Sequence, residues 1–298
     1  MDEGLPGCSL ILATRGRGAM ALEAVRSILA GAHLPDEIII VDQSDRQDAA
    51  LAALGSERCA VRYHWSPRPG LSRANNEGVR LARHEVLVFT HDDVTVRPDW
   101  LSTLVRALVT AGPRSVVTGR VLPHTAEAPG AFALTLKVDP DSAIYEGRVG
   151  EDVLFPLNMA MWRETFREIG PFDTRLGPGT AFPAAEDNDL GYRLLEAGFR
   201  IVYVPAAVVE HRLWRRDRVR LRWMYGLGQG AYYAKHLSVR DRYMLNRLIR
   251  HAARYALRAV RRGARLDPLA LSDAAAFAGV VSGAIGWAVL GRGRSMTE

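Results

Sequence analysis

The chain has 298 residues, 48% hydrophobic and 24% charged, a globular composition that excludes a disordered, collagen-like or multi-span membrane protein. Its net charge of +6 is unevenly placed: residues 1–211 hold 21 basic against 28 acidic side chains, and residues 212–265 hold 16 against 2. An acidic body followed by an Arg-rich segment points to chemistry in front and an anionic surface behind. Two cysteines, Cys8 and Cys59, cannot make a disulfide framework, and the acidic opening lacks the layout of a signal peptide. A reducing cytoplasmic compartment is expected.

In chain order, Ser9–Ala13, Glu37–Val41, Val61–His64 and Val86–Thr90 are short β-branched runs that read as strands. Between them Met20–Leu29, Asp48–Leu54 and Ser72–Ala82 have helical spacing. Strands apolar on both faces that alternate with helices imply a parallel sheet covered by helices. Ligands in such sheets sit beyond the carboxyl ends of the strands. Polar clusters stand there: Thr14-Arg15-Gly16-Arg17, Asp42-Gln43-Ser44-Asp45 and His91-Asp92-Asp93. Pro98–Ala111 reads as a helix, Val116–Leu122 as a strand, 123–152 as loop, Val153–Trp162 as a strand and Glu186–Ala197 as a helix closed by Gly198. Ile201–Val204 and Val208–His211 read as two further strands.

Two clusters carry chemistry. An apolar strand ending in Asp92-Asp93 offers carboxylate oxygens that suit Mg²⁺ or Mn²⁺ and, through them, phosphates; the same pair also fits a solvated turn. Glu186 and Asp187 open a helix, where acidic side chains complement the dipole, and one of them facing the sheet edge can serve as a general base.

Taken in order, Ala13-Thr14-Arg15-Gly16-Arg17, Ile40-Val41-Asp42, Gly70-Leu71-Ser72-Arg73-Ala74-Asn75-Asn76, His91-Asp92-Asp93, Asn158-Met159-Ala160, Gly170-Pro171-Phe172-Asp173, the Glu186-Asp187 helix and Val209-Glu210-His211 resemble the family-2 glycosyltransferases over about residues 7–236. The resemblance implies the GT-A fold: a Rossmann-like, mixed but mostly parallel sheet flanked by helices. It also implies a catalytic domain over 1–236 and a helical, basic extension over 237–298. By position it assigns Thr14, Arg17, Asp42, Arg73, Asn76, His91 and Asp92 to the nucleotide-sugar donor and Asp93 with His211 to a divalent metal, Mn²⁺ or Mg²⁺. Asp187, with Glu186 beside it, falls at the catalytic base of an inverting transfer. Asn158 and Trp162 fall at an acceptor or sugar contact, and Arg215 or Arg216 at the departing diphosphate. His91 departs from the pattern, since an Asp usually stands there; a neutral imidazole can still bond a ribose hydroxyl. An inactive sugar-nucleotide or membrane-binding module of the same fold and a sugar nucleotidyltransferase are the alternatives.

Val239–Arg262 reads as an amphipathic helix, with Leu245, Leu248, Ile249, Ala252, Tyr255, Ala256 and Ala259 on one face and arginines on another. Ala274–Leu290 follows, 17 residues without a charge, with Arg292 and Arg294 beyond it. This composition suits an anionic membrane surface and carries no nucleic-acid-binding motif. The expected partners are a nucleoside-diphosphate sugar, a saccharide or lipid-linked acceptor and the inner face of the cell membrane. The glycines around Tyr225–Gly230 suit close helix packing better than a phosphate loop.

Overall fold

The computed structural model describes residues 4–126, 128–237 and 242–290. They form two compact units, and the first comprises residues up to 69, 73–171 and 190–214. Its frame is a nine-stranded mixed sheet flanked by helices.

At its centre is β1 (Cys8–Thr14), paired in parallel with β2 (Glu37–Asp42) on one side and β4 (Val86–His91) on the other and buried at all seven positions, as a central strand with both faces covered must be. β3 (Ala60–Trp65) extends the parallel set beyond β2. In register, Thr14 lies beside Asp42 and Ala13 beside His91, so the polar residues that close these strands collect at one sheet edge. Helices α1 (Gly18–Leu29), α2 (Ala49–Ala52) and α3 (Leu71–Leu81) are the crossovers. α2 keeps only four residues of the expected seven; Asp48 caps it, its side chain accepting from the Ala50 and Leu51 amides.

On the other side of β4 the sheet turns mixed. β8 (Asn158–Trp162) pairs antiparallel with β4 and with β6 (Ser115–Ala126), and β6 runs parallel to β9 (Arg200–Leu213). β9 is one strand rather than the two expected: opposite the Gly119–Arg120 step its register jumps from Val204 to Val208, a bulge that absorbs Pro205. Short β5 (Val94–Val96) and β7 (Ala143–Tyr145) pair with β9, and with β7 and the end of β6 inside it the 123–152 stretch is not all loop. α4 (Trp100–Ala111) buries Trp100, Leu101, Leu104, Val105 and Leu108, one stripe at helical spacing. α5 (Arg163–Ile169) starts directly at the end of β8, with no turn residue to announce it.

The second unit comprises residues 70–72, 172–189 and 215 onward. In it α7 (Arg218–Lys235) packs with α8 (Tyr243–Gly263) and α9 (Ala270–Leu290). Of the helix expected over 239–262, residues 239–241 lie outside the described residues, as do Arg292 and Arg294. α7 and α9 meet backbone to backbone: a Cβ on Gly230 would collide with the Val280 carbonyl, and one on Gly283 with that of Leu227. Gly226 and Gly279 make the same contact one turn away on each helix. Phe182 packs on Trp287 with centroids 5.4 Å apart, joining the 172–189 segment to α9. α6 (Glu186–Glu196) gives its first turn to this unit and Leu190 onward to the first.

Candidate functional site

β4 ends in His91, and the turn after it carries Asp92 and Asp93. β9 is antiparallel to β5, which sets His211 opposite Val94, and the Arg212 amide donates to the Asp93 carbonyl at 2.9 Å. Strand pairing alone thus brings His211 to Asp93, their side chains 3.5 Å apart at Nε2 and Oδ1. Arg17, just before α1, lies over the Trp214 ring at 5.4 Å. Its guanidinium spans the two acids, Nη2 at 2.7 Å from Asp92 Oδ1 and Nη1 at 3.1 Å from Asp93 Oδ2. Trp214 Nε1 also donates to Asp93 Oδ2 at 3.1 Å, and Thr14 Oγ1 donates to Asp92 Oδ2 at 2.7 Å.

Both carboxylates are almost wholly enclosed, and their surroundings separate them. Burial pushes Asp92 up to about 7, with the Arg17 charge opposing and the Asp93 charge adding. Burial raises Asp93 as well, but His211 and Arg17 outweigh it and hold Asp93 well below the usual carboxylate range. Asp93 is the anion of the pair. Burial lowers His91 to about 4, with Asp93 opposing, so its ring is neutral at pH 7; its shielded Nε2 has no hydrogen-bond partner.

Among the described residues no group of three or more His, Cys, Asp or Glu is arranged around one metal position. Asp93 Oδ1 is nevertheless buried without a hydrogen-bond partner and faces the His211 imidazole. One carboxylate oxygen and one ring nitrogen fit an open divalent site whose remaining ligands come from diphosphate or water.

At the neighbouring strand end Asp42 is fully buried; Oδ1 accepts from the Ser44 amide at 2.9 Å and Oδ2 from the Tyr63 hydroxyl at 2.7 Å. Asn76 and Arg73 are half-buried on α3. Cys8 and Cys59 are free, and burial pushes their thiols up to about 12 and about 11, so neither is a nucleophile.

In the second unit, Ala185 takes a left-handed φ of 71° immediately before Glu186, a strained position for a residue with a Cβ. Glu186 is buried, and burial plus the Asp187 charge push its carboxyl up to about 8. Half-buried Asp187 accepts from the Asn188 amide at 2.8 Å. An ion cluster anchors this turn. Asp189 Oδ1 meets Lys235 Nζ at 2.6 Å and His236 Nε2 at 2.7 Å, while Asp173 Oδ2 meets Lys235 Nζ at 2.8 Å and Arg175 Nη2 at 2.6 Å. Arg175 in turn lies over the Trp287 ring at 4.4 Å.

A sequence model described as Glycosyl transferase family 2 matches residues 9–167, more than half of the chain. The chain belongs to glycosyl transferase family 2. A glucosyl-dolichyl phosphate glucuronosyltransferase of Haloferax volcanii is 28% identical over 201 residues, 64% of each chain. A pre-mycofactocin glycosyltransferase of Mycobacterium tuberculosis is 26% identical over 221 residues, 67% of this chain and 43% of its own. This chain thus spans less than two thirds of either relative's length. A mannosyltransferase from Pyrobaculum calidifontis, solved with GDP-Man and Mn²⁺, superposes over 95% of this chain and 87% of its own, with a TM-score of 0.63 at 17% identity. The S. aureus TarS 1–349 structure with UDP-GlcNAc covers 95% and 92%, with a TM-score of 0.55 at 13% identity. These likenesses establish the GT-A fold.

Within this family-2 frame the structure brings Thr14, Arg17, Asp92, Asp93, His211 and Asp42 to one sheet edge, and it corrects three expectations. Asp92 is buried, and its oxygens face Thr14 and Arg17 rather than an open donor site. Asn158 is not a sugar contact: it is fully buried, and its amide accepts from Trp100 Nε1 and donates to the Arg120 and Ala207 carbonyls. Trp162 pairs with Val86 at the start of β4, because β8 runs antiparallel, so it sits at the opposite sheet edge from His91. Arg215 and Arg216 are exposed in the second unit, just before the α7 cap Asp217. Sequence reading missed Trp214, Tyr63 and the Asp173–Lys235–Asp189 cluster; only the Phe172-Asp173 motif pointed toward the last.

Proposed function

We propose that the protein is an inverting glycosyltransferase that moves a sugar from a nucleoside-diphosphate donor to a hydroxyl of a saccharide or lipid-linked acceptor. It serves cell-surface polysaccharide or glycolipid synthesis at the inner face of the membrane. The reading is carried by one observation: an ionised, enclosed Asp93 held by Arg17, Trp214 and His211 at the carboxyl edge of the sheet in a family-2 chain.

In this reading Asp42 and His91 serve the nucleoside end, with Thr14 behind them, and Arg73 and Asn76 line the nucleotide. Asp93 and His211 would hold Mn²⁺ or Mg²⁺, which when bound offsets the charge developing on the leaving diphosphate. The neighbouring mannosyltransferase and TarS structures carry nucleotide sugars, the former with Mn²⁺, which supports the donor class. Arg17 keeps Asp93 aimed and shares its charge. Arg215 or Arg216 meets the departing diphosphate. Asp187 takes the acceptor proton as the hydroxyl attacks the opposite face of the sugar, and Glu186, its carboxyl raised by burial and by the Asp187 charge, leaves that role to Asp187. One base with direct displacement inverts the anomeric centre.

The test is Asp187→Asn with nucleotide-sugar donors and a hydroxyl acceptor. Transfer is lost while calorimetric donor binding persists; unchanged turnover overturns the base assignment.

A further inference from the structure

Among the described residues, α8 rests on its own unit through one side. Met244 is buried, His251 Nδ1 lies 2.8 Å from the Tyr233 hydroxyl, Tyr255 accepts from Arg222, and Arg262 meets Asp273 at 2.7 Å. The rest of its circumference carries two exposed rows. Leu245, Ile249, Leu257 and Val260 form an apolar one, with Ile249 and Val260 at 55% and 70% exposure. Arg250, Arg254, Arg258 and Arg261, all exposed and also one turn apart, run alongside it, and the helix contains no acidic residue. Of the seven residues expected on one apolar face, Leu248, Ala252, Tyr255, Ala256 and Ala259 are half-buried, and the outward row of Leu245 and Ile249 is completed by Leu257 and Val260.

α9 repeats the arrangement without charge. It packs through Ser272, Asp273, Ala276, Gly279, Gly283 and Trp287, while Phe277, Val281, Ile285 and Val289 stand outward at four-residue spacing, Ile285 and Val289 at 61% and 74% exposure. This helix is long and apolar enough to cross a bilayer. Yet it is locked backbone to backbone on α7, which carries Arg218, Arg220, Arg222 and Lys235. Crossing would drag those charges into hydrocarbon, at a cost of several kcal/mol each before snorkelling. Rows of exposed apolar side chains on this scale mark a docking surface. A twofold contact with a second copy would set arginine row against arginine row; an anionic bilayer matches both rows at once.

We propose that the outward faces of α8 and α9 form a monotopic docking surface for an anionic bilayer, with the apolar rows entering the acyl boundary and the α8 arginine row lying among the headgroup phosphates. The inference rests on the peripheral location proposed above and specifies which surface provides it and how deep it goes.

The experiment is flotation of the full chain with vesicles of phosphatidylcholine alone and with one third phosphatidylglycerol. The protein floats with the anionic vesicles, high salt weakens this, and an alkaline carbonate wash releases it. Arg254→Gln with Arg258→Gln lowers partitioning about thirtyfold, from roughly fivefold per basic residue near an anionic surface. Ile249→Ser with Val260→Ser lowers it at any salt concentration. All four positions are exposed, and an unchanged melting temperature verifies the fold of each variant. Anionic binding that ignores both double variants overturns the docking face and leaves the peripheral location standing; no binding to either vesicle overturns both. Resistance to carbonate shows a spanning helix, and a dimer dissociated by Ile249→Ser shows that a second copy covers the face; either overturns the proposal. Vesicle binding is read without donor or acceptor, so each outcome is separate from the sugar-transfer reading.

Discussion

Asp93 concentrates what single residues contribute. Its Oδ2 accepts from a guanidinium and an indole N–H while Oδ1 faces an imidazole, so replacing the carboxylate leaves two donors converging on a weaker acceptor. Asp93→Asn is expected to lower transfer by on the order of a hundredfold or more and to abolish any response to added Mn²⁺, measured by donor turnover across a metal titration. Glu186 makes a pH prediction. Its carboxyl is raised from 4.5 to about 8 on folding, so the stability its neutral form contributes is present below about pH 4.5 and lost as pH rises through about 8. Glu186→Gln, which cannot ionise, should therefore gain melting temperature relative to the parent between pH 5 and pH 8; a difference that does not change with pH sinks this assignment. Residues placed at strand ends were readable because an apolar run followed by polar residues marks the carboxyl edge of a parallel sheet, which located Thr14, Asp42 and Asp93. Trp162 was placed by its position in the family pattern, which does not say that β8 runs antiparallel, and direction decides which end of a strand meets the site.

Among the elements, α6 shows how a short turn is held in place. Its Asp189 and the preceding Asp173 share Lys235 from the end of α7, all three nearly enclosed. Lys235→Met leaves two buried carboxylates short of a cation and should cost about 3–5 kcal/mol by denaturant unfolding. A structural role alone predicts that loss; a fall in kcat in the protein that remains folded would show that the cluster also aims the Asp187 turn. The α7–α9 contact makes a second prediction. Gly230→Leu must push apart two backbones now in van der Waals contact, and about 1–3 kcal/mol or more should be lost in thermal melting. The glycine spacing made close helix packing legible beforehand. The lysine cluster was not, because it joins positions far apart in sequence and no local period announces such a pair. Equally hidden were α5, which follows β8 without punctuation, and β5, too short to show alternation.

At the scale of the whole molecule, alternation of strands and helices disclosed a parallel sheet covered by helices, and the order of the motifs its likeness to the GT-A fold, whereas the division of the chain into units stayed hidden. The second unit draws on three separate stretches, residues 70–72, 172–189 and 215 onward. Removing residues 240–298, the obvious way to test the basic tail, would uncover the glycine face of α7 and the Trp287 side of residues 172–189. We expect that truncation to yield aggregated protein by size-exclusion chromatography, where the exposed-face point variants remain monodisperse. The same threading bears on synthesis at the ribosome. Asp173 and Asp189 emerge well before the lysine that neutralises them, and at about 5–20 residues per second the delay is on the order of seconds. During that interval Asp173 has Arg175 beside it, but Asp189, destined for a dry interior, has neither Lys235 nor His236, so its carboxylate must stay hydrated until α7 has been made.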